Sequence, residues 1–448
     1  MNSLSEEIAR WVISLQPSHV PAEVGELSKL RMLDTIGLIL AARETDAAKA
    51  ALDVVQQQGG RAESVLIGGT DRVPAAAAAF AHGVIAHCRD FDDTFLDSVV
   101  HPGSVVVPVA LAVGQAAVCS GAQIKLAIAV GYEISGRIGS AFGRKLYRGG
   151  FHPSGIVGPL AAAATAGKLY GLTSPQMVSA MGLAGSMSAG LMEFLGDGSW
   201  SKWLHLGWAA HGGIVAAQLA ARGFKGPRGV LEGPAGLYHS FLRQAHIDFA
   251  SLTAGLGDAW HGSAAEFKYY PCAHVIQPFV DAALRLKVEH RLTAGAIREV
   301  KCEIAEWCIP LVCEPRAPRL RPATDMQAIA SLPFILSCAL TDGVVTLDSI
   351  CAANLRRADV LSLADRISHS SAASVGDRFE GQLEIFMTDG GRFCAIVGLA
   401  PVDEFAVRTK FRRNASLGFP PPAVDAVQAA IEMDVLDAQA LFRLLARS

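Results

Sequence analysis

The sequence predicts a mostly α protein, a large all-helical domain joined by a smaller α+β domain. Three observations predict it. Apolar residues recur at three- and four-residue intervals from the start to about residue 245. After about residue 264, short alternating stretches and a glycine turn take over. Helical spacing then returns over 422–448. This order assigns residues 1–264 and 404–448 to the helical domain and inserts an α+β domain at residues 265–403.

The elements follow in order. Ser5-Glu6-Glu7 opens a helix with a capping oxygen and two acids facing the positive end of the helix dipole. Pro21 starts a long helix with Val24, Leu27, Leu30, Leu33 and Ile36 on one stripe. Pro74 begins another, Ala75 to about Cys88. Further helices are expected at Ser104–Val118, Gln123–Ser140, Gly155–Leu169, Ser174–Ala189 and Lys202–Ala221. Alanines crowd two of them (161–164, then 209, 210, 216 and 217), so those axes are expected to pack closely. In the α+β part, Ile297–Ile304 reads as a strand and Trp307–Val312 as a possible second one. Phe379–Thr388, Gly390-Gly391 and Arg392–Val397 read as a hairpin. Helices fall at Met326–Leu340, Leu347–Ala353 and Ala358–Arg366, and two close the chain, Val424–Ile431 and Leu436–Ala446.

Composition removes whole classes of function. Of 448 residues 51% are apolar and 18% charged, which excludes a disordered chain. The net charge of −3, from 39 basic and 42 acidic residues with no basic run of five or more, points away from nucleic acid. The 9 cysteines contain no C-x-x-C pair, so neither a zinc ribbon nor a local iron–sulfur motif is expected. The most apolar stretches (36–42, 105–118 and 155–166) are short or interrupted by Pro or Gly, below the roughly 18 residues of a membrane span. The first residues carry no basic or apolar leader, so a cytoplasmic location is expected.

Four polar clusters can carry chemistry. Asp90, Asp92, Asp93, Thr94 and Asp97 precede His101-Pro102-Gly103, after a helix bearing His82 and His87. Four acids in eight residues repel, so some must be protonated, partnered or exposed. Arg144, Lys145 and Arg148 precede Gly149-Gly150-Phe151-His152-Pro153 and a helix start, a setting for a carboxylate rather than a nucleotide. No phosphate-binding glycine loop occurs. Lys202 stands in the first turn of a helix that also carries His205, where the dipole disfavours a cation. Lys268–His274 marks the start of the α+β part, and seams between domains favour pockets. Each cluster also has an ordinary reading: a solvated acidic loop, a basic surface loop, a snorkelling lysine, a packed histidine.

Together the four clusters, with the closing Lys410-Phe411-Arg412-Arg413-Asn414 segment, resemble the MmgE/PrpD family over nearly the whole chain. The resemblance implies a helical domain and a smaller α+β lid with the active site between them, a homodimer, and no metal or other cofactor. It implies Asp90, Thr94, His101, His152, Lys202 and His274 as site residues. Its members include 2-methylcitrate dehydratase, cis-aconitate decarboxylase and iminodisuccinate epimerase. No tyrosine lies in Arg316–Ala323 and no Asn-Asp-Thr-Trp signature occurs, so the subfamily stays open.

The implied substrate is a small anionic di- or tricarboxylate. Making or quenching charge on carbon beside a carboxylate is the shared step, and well-placed cations and N–H donors stabilise it by about 3–4 kcal/mol each. Lys202 and the Arg144–Arg148 cluster would bind carboxylates, His101 and His152 would move protons, and His274 would orient substrate or deliver a proton. Asp90 would fix a histidine tautomer or act as acid or base, and Thr94 would donate a hydrogen bond. The expected activity is a lyase, dehydratase-like or decarboxylase-like. An epimerase of a dicarboxylate and a non-catalytic, metabolite-binding dimer are the alternatives.

Overall fold

The computed structural model describes residues 3–243, 247–371, 379–399 and 401–446. The leader reading at Met1-Asn2 and the last two residues of the closing stretch lie outside the described residues. The chain is mostly α, with a smaller α+β part. It divides into two compact units: Met1–Cys88 with Asp92–Phe267 and Glu404–Ser448, and Arg89–Phe91 with Lys268–Asp403. No helix among the described residues is long and apolar enough to cross a membrane.

The first unit is built around the Ser201–Ala221 helix, which packs on the Pro153–Leu169 and Ala75–His87 helices. Small residues set that packing. A Cβ on Gly213 would sit 2.3 Å from the Ala162 Cβ, and one on Gly207 would sit 2.5 Å from the Phe80 carbonyl oxygen. Larger residues would push the axes apart. The Ala22–Ala42 helix starts at Pro21 and the Ala75–His87 helix at Pro74. The opening helix, Leu4–Ser14, is capped two residues earlier than expected: Ser3, not Ser5, accepts from the Glu6 N–H, and Glu6 answers in a capping box. Ser5 is buried instead. A helix at Asp46–Gln58, capped by Thr45, escaped the sequence reading. Buried Arg137 donates to Glu133 (2.5 Å) and to the carbonyls of Ala254 and Ala259, which ties that irregular stretch to the Gly121–Phe142 helix.

The second unit holds a four-stranded sheet in the order Ile367–Ser371, Ile297–Ile304, Gly381–Met387, Arg392–Val397. The first pair is parallel and the others antiparallel. The hairpin turns at Gly390, whose φ of +93° suits glycine. The Gln277–Glu289 helix packs on the last two strands and on the Leu332–Asp342 helix, with Phe279, Val280, Ala283 and Leu286 buried. Neither that helix nor the Ile367–Ser371 strand was anticipated.

Three expectations need correction here. Trp307–Val312 is no strand: Glu306–Cys308 is a 3-10 turn and Ile309–Val312 a helical turn, and Pro310 supplies no N–H for a ladder. Met326–Leu340 is two helices, Asp325–Ile329 and Leu332–Asp342. Ser331 breaks the run by accepting from the Phe334 N–H at 3.1 Å and recapping the chain ahead of Pro333. Leu347–Ala353 contains a 3-10 turn, Leu347–Ile350, rather than an α-helix.

Candidate functional site

The Ala75–His87 helix ends at the acidic segment, and the backbone turns sharply there, with Asp90 at φ +46° and Val99 at φ +59°. Each acid meets a different environment. Asp92 is buried and takes the His87 Nδ1–H at 2.8 and 2.9 Å from its two oxygens, and the Ser104 hydroxyl at 2.6 Å. Asp93 is buried too and accepts from the Gly103 N–H (2.9 Å) and the Tyr132 hydroxyl (2.6 Å). Burial pushes the Asp93 carboxyl up to about 7, against the opposing pull of Arg31 and Tyr132. The Arg31 guanidinium lies 3.6 Å from the centroid of the Tyr132 ring. Asp97 stays exposed and accepts from Ser140. The four acids are thus partnered, partly protonated or exposed.

His101 follows that segment and leads into the Gly103–Ala116 helix. Its backbone N–H donates to the Ser154 hydroxyl at 2.9 Å. Its Nδ1 lies 3.0 Å from the Asp93 carbonyl oxygen and 3.0 Å from the Thr94 hydroxyl. A carbonyl only accepts, so Nδ1 carries the hydrogen and Nε2 is the atom that gains or loses a proton. Thr94 is fixed by antiparallel pairing with Glu266.

His152 caps the Pro153–Leu169 helix, with Pro153 at its first position. Its Nδ1 is 3.1 Å from the Nδ1 of His205, so one of the two imidazoles donates and the other accepts. Phe194 sets its ring edge-on to His152, centroids 5.7 Å apart. Burial drives His152 well below the ordinary histidine value, and the Lys202 charge adds to that, followed by His87, His205 and His101. Burial, then His87 and Lys202, brings His205 to about 4. Both rings are therefore neutral at pH 7. Lys202 is half-buried in the first turn of the Ser201–Ala221 helix, one turn before His205.

The first unit thus brings Thr94, His101 and His152 together, with Lys202 close enough to act electrostatically on His152. The ring centroids of His101 and His152 are 6.4 Å apart. Sequence reasoning named His87 and Asp92 in the first cluster without giving either a role, and missed Ser104 and the Tyr132–Arg31 pair. The carboxylate five residues after His87 was the one visible signal. Arg144 donates to the Leu96 carbonyl, and Lys145 and Arg148 are exposed. Lys410 forms a buried 2.6 Å ion pair with Asp34.

Asp90 and His274 belong to the second unit. There Lys268 donates to the Asp90 carbonyl (2.6 Å) and carboxylate (2.8 Å), and all three groups are buried or nearly so. His274 opens a 3-10 turn, buried, with its ring 5.6 Å from that of Phe379. One ring nitrogen each of His87, His101 and His152 lies within 4.8 Å of the others, a spacing that a divalent cation can bridge after small adjustments.

The MmgE/PrpD N-terminal domain model matches residues 6–250, and the MmgE/PrpD C-terminal domain model matches residues 270–434. The chain belongs to the MmgE/PrpD family. Among its MmgE/PrpD relatives, a cis-aconitate decarboxylase of Aspergillus terreus is 26% identical over 396 residues, covering 83% of this chain and 79% of that protein. The cis-aconitate decarboxylase of Homo sapiens is 28% identical over 436 residues, covering 93% and 88%. That of Mus musculus is 26% identical over 463 residues, covering 99% and 94%.

Proposed function

We propose that the protein is a lyase acting on a small di- or tricarboxylic acid, and that it decarboxylates an unsaturated tricarboxylate of the cis-aconitate type by acid/base chemistry of its own side chains. The observation that carries this reading is the pairing of a His101 imidazole poised to exchange a proton at Nε2 with a neutral, buried His152 under the influence of Lys202. The names of the family relatives support the choice of decarboxylation.

In the proposed reaction Lys202 holds a substrate carboxylate. The bond to a second carboxylate breaks, carbon dioxide leaves, and the electron pair stays on carbon, spread into the neighbouring unsaturated acid. His101, protonated at Nε2, delivers a proton to that carbon and is left neutral. Solvent returns a proton to His101 when the site resets, relayed by His152, which takes a proton at one ring nitrogen as it releases one from the other and so stays neutral beside Lys202. Asp90 and His274 are proposed to serve the same substrate, by orientation and proton delivery.

A cytoplasmic homodimer without a metal belongs to the same proposal. Trp200, Leu204 and Trp208, four residues apart on one helix face and each about half exposed (50%, 46% and 48%), support the homodimer. Light scattering on the purified protein checks it.

The test is proton NMR of the protein incubated with cis-aconitate, 2-methylcitrate, citrate and iminodisuccinate. Carbon dioxide release from cis-aconitate is the expected result. Alkene formation without it would make the protein a dehydratase, and deuterium wash-in alone an epimerase. No change in any of the four acids would remove the reading. His152→Ala should abolish turnover and leave carboxylate binding in place; a pure binding protein would show no turnover to lose.

A further inference from the structure

His87 takes no part in the chemistry above, yet its ring is the middle one of the cluster. It is fully buried, with its centroid 4.8 Å from that of His101 and 6.0 Å from that of His152. Nothing about a helix-terminal histidine requires a buried carboxylate beside it. Asp92 is nevertheless held there by two donors, the His87 Nδ1–H and the Ser104 hydroxyl. The same Asp92 Oδ1 that faces His87 at 2.8 Å lies 3.6 Å from the Nδ1 of His101. One carboxylate oxygen therefore hydrogen-bonds His87 and stands within ion-pair distance of His101. Unlike Asp93, which shares its carboxyl with Tyr132 and Gly103, Asp92 is aimed at histidines.

We propose that His87 and Asp92 form a positioning couple for His101. The His87 N–H and the Ser104 hydroxyl pin the Asp92 carboxylate, and its charge stabilises His101 when His101 holds the proton it will give to carbon. His87 moves no proton itself, and neither group touches substrate. The assignment presupposes the proton-donor role proposed above for His101. It supplies a physical reason for a protonated His101 beside Lys202: an anion stands 3.6 Å behind it.

The test uses the full chain with Asp92→Asn, His87→Asn and His87→Leu, each checked for folding by circular dichroism. Asp92→Asn keeps acceptor and donor atoms toward His87 and Ser104 but removes the charge. It should lower kcat about 100-fold, within the range of acid/base contributions, and leave KM within about twofold. His87→Leu deletes the donor and should fall to a similar level. His87→Asn returns an N–H near the Nδ1 position and should recover at least tenfold over His87→Leu. A structural role alone predicts no such rescue. Equal kcat in all three variants and the wild type would overturn the proposal, as would losses confined to KM.

A second readout needs no turnover. In 15N-histidine-labelled resting protein, the His101 and His87 Nδ1–H protons should resonate far downfield, and Asp92→Asn should shift both upfield. If no acid is converted but both resonances move, the function reading fails and only the electrostatic link from Asp92 to both rings stands. If the acid is converted and only the His87 resonance moves, the couple is refuted and the function reading survives. Should Asp92→Asn not fold, Ser104→Ala, which removes one of the two pins, takes its place with a smaller loss in kcat expected.

Discussion

Replacing Asp93 by Asn removes a buried charge without removing its hydrogen bonds. The Asn oxygen accepts from the Gly103 N–H and its amide donates to the Tyr132 oxygen, so both contacts of the wild type persist in mirrored form. Burial raises the Asp93 carboxyl from 3.8 to about 7. A raised acid binds its proton more tightly in the folded state than in the unfolded one. The folded state is therefore penalised as pH climbs through the unfolded value, and the penalty levels off above the folded one. Between 3.8 and about 7 each pH unit subtracts about 1.4 kcal/mol. The penalty works out to about 2 kcal/mol at pH 5 and about 4 kcal/mol at pH 8. Asp93→Asn escapes it, so its stability advantage over the wild type should grow by roughly 2–3 kcal/mol from pH 5 to pH 8. Urea unfolding of both proteins at the two pH values, followed by tryptophan fluorescence, measures that difference. Activity should stay close to that of the wild type, because the Asp93 carbonyl still holds His101 and the Asn oxygen still holds the Gly103 N–H. A constant stability gap between pH 5 and pH 8 would refute the raised carboxyl and the reasoning from burial behind it.

Lys202→Met should lower kcat/KM by about 100- to 1000-fold, the loss of one charge-stabilising group, and should raise the proton affinity of His152 and His205, readable as a shift of their NMR titrations. Buried His82, which accepts the Ile67 N–H at Nε2 (2.9 Å), is pushed down to about 3. Its folded form refuses a proton that the unfolded chain accepts, so its stability contribution is whole above pH 6.5 and drains away as pH falls toward 3. His82→Gln keeps the acceptor and should flatten the acid limb of the stability curve by about 1.4 kcal/mol per pH unit over that window. A chelator such as EDTA should leave turnover unchanged, and strong inhibition would contradict the metal-free chemistry. Gly213→Val should destabilise the first unit by about 1–3 kcal/mol or more, since a Cβ there would lie 2.3 Å from the Ala162 Cβ; thermal unfolding checks it.

Much of this arrangement could be read from residue order, and its limits are physical. Pro21 and Pro74 announce helix starts because the ring presets φ and lacks the N–H that would be orphaned there. Gly390 announces the hairpin because the turn needs positive φ. The Gln277–Glu289 helix stayed hidden because it begins within a Pro-containing segment at Pro271 and Pro278. Trp307–Val312 misled because a short apolar run has the same composition in a strand and in a helical turn. At the site, His101, His152 and Lys202 were visible as residue types in suitable company. Their partners were not. His205 lies 53 residues from His152, and Tyr132 lies 39 from Asp93. Only the close packing of Ala- and Gly-rich helices brings such pairs within hydrogen-bond reach, and nothing local in the chain encodes it.

The steric interlock at Gly207 and Gly213 bears on how this protein could be retuned. A helix wedged at two points against its neighbours can neither slide nor roll, so Lys202 and His205 inherit a fixed address. Laboratory evolution toward a longer or shorter acid should then accumulate changes in the exposed residues Leu195, Gly196, Asp197 and Ser199, outside the packed helices, and spare the wedge.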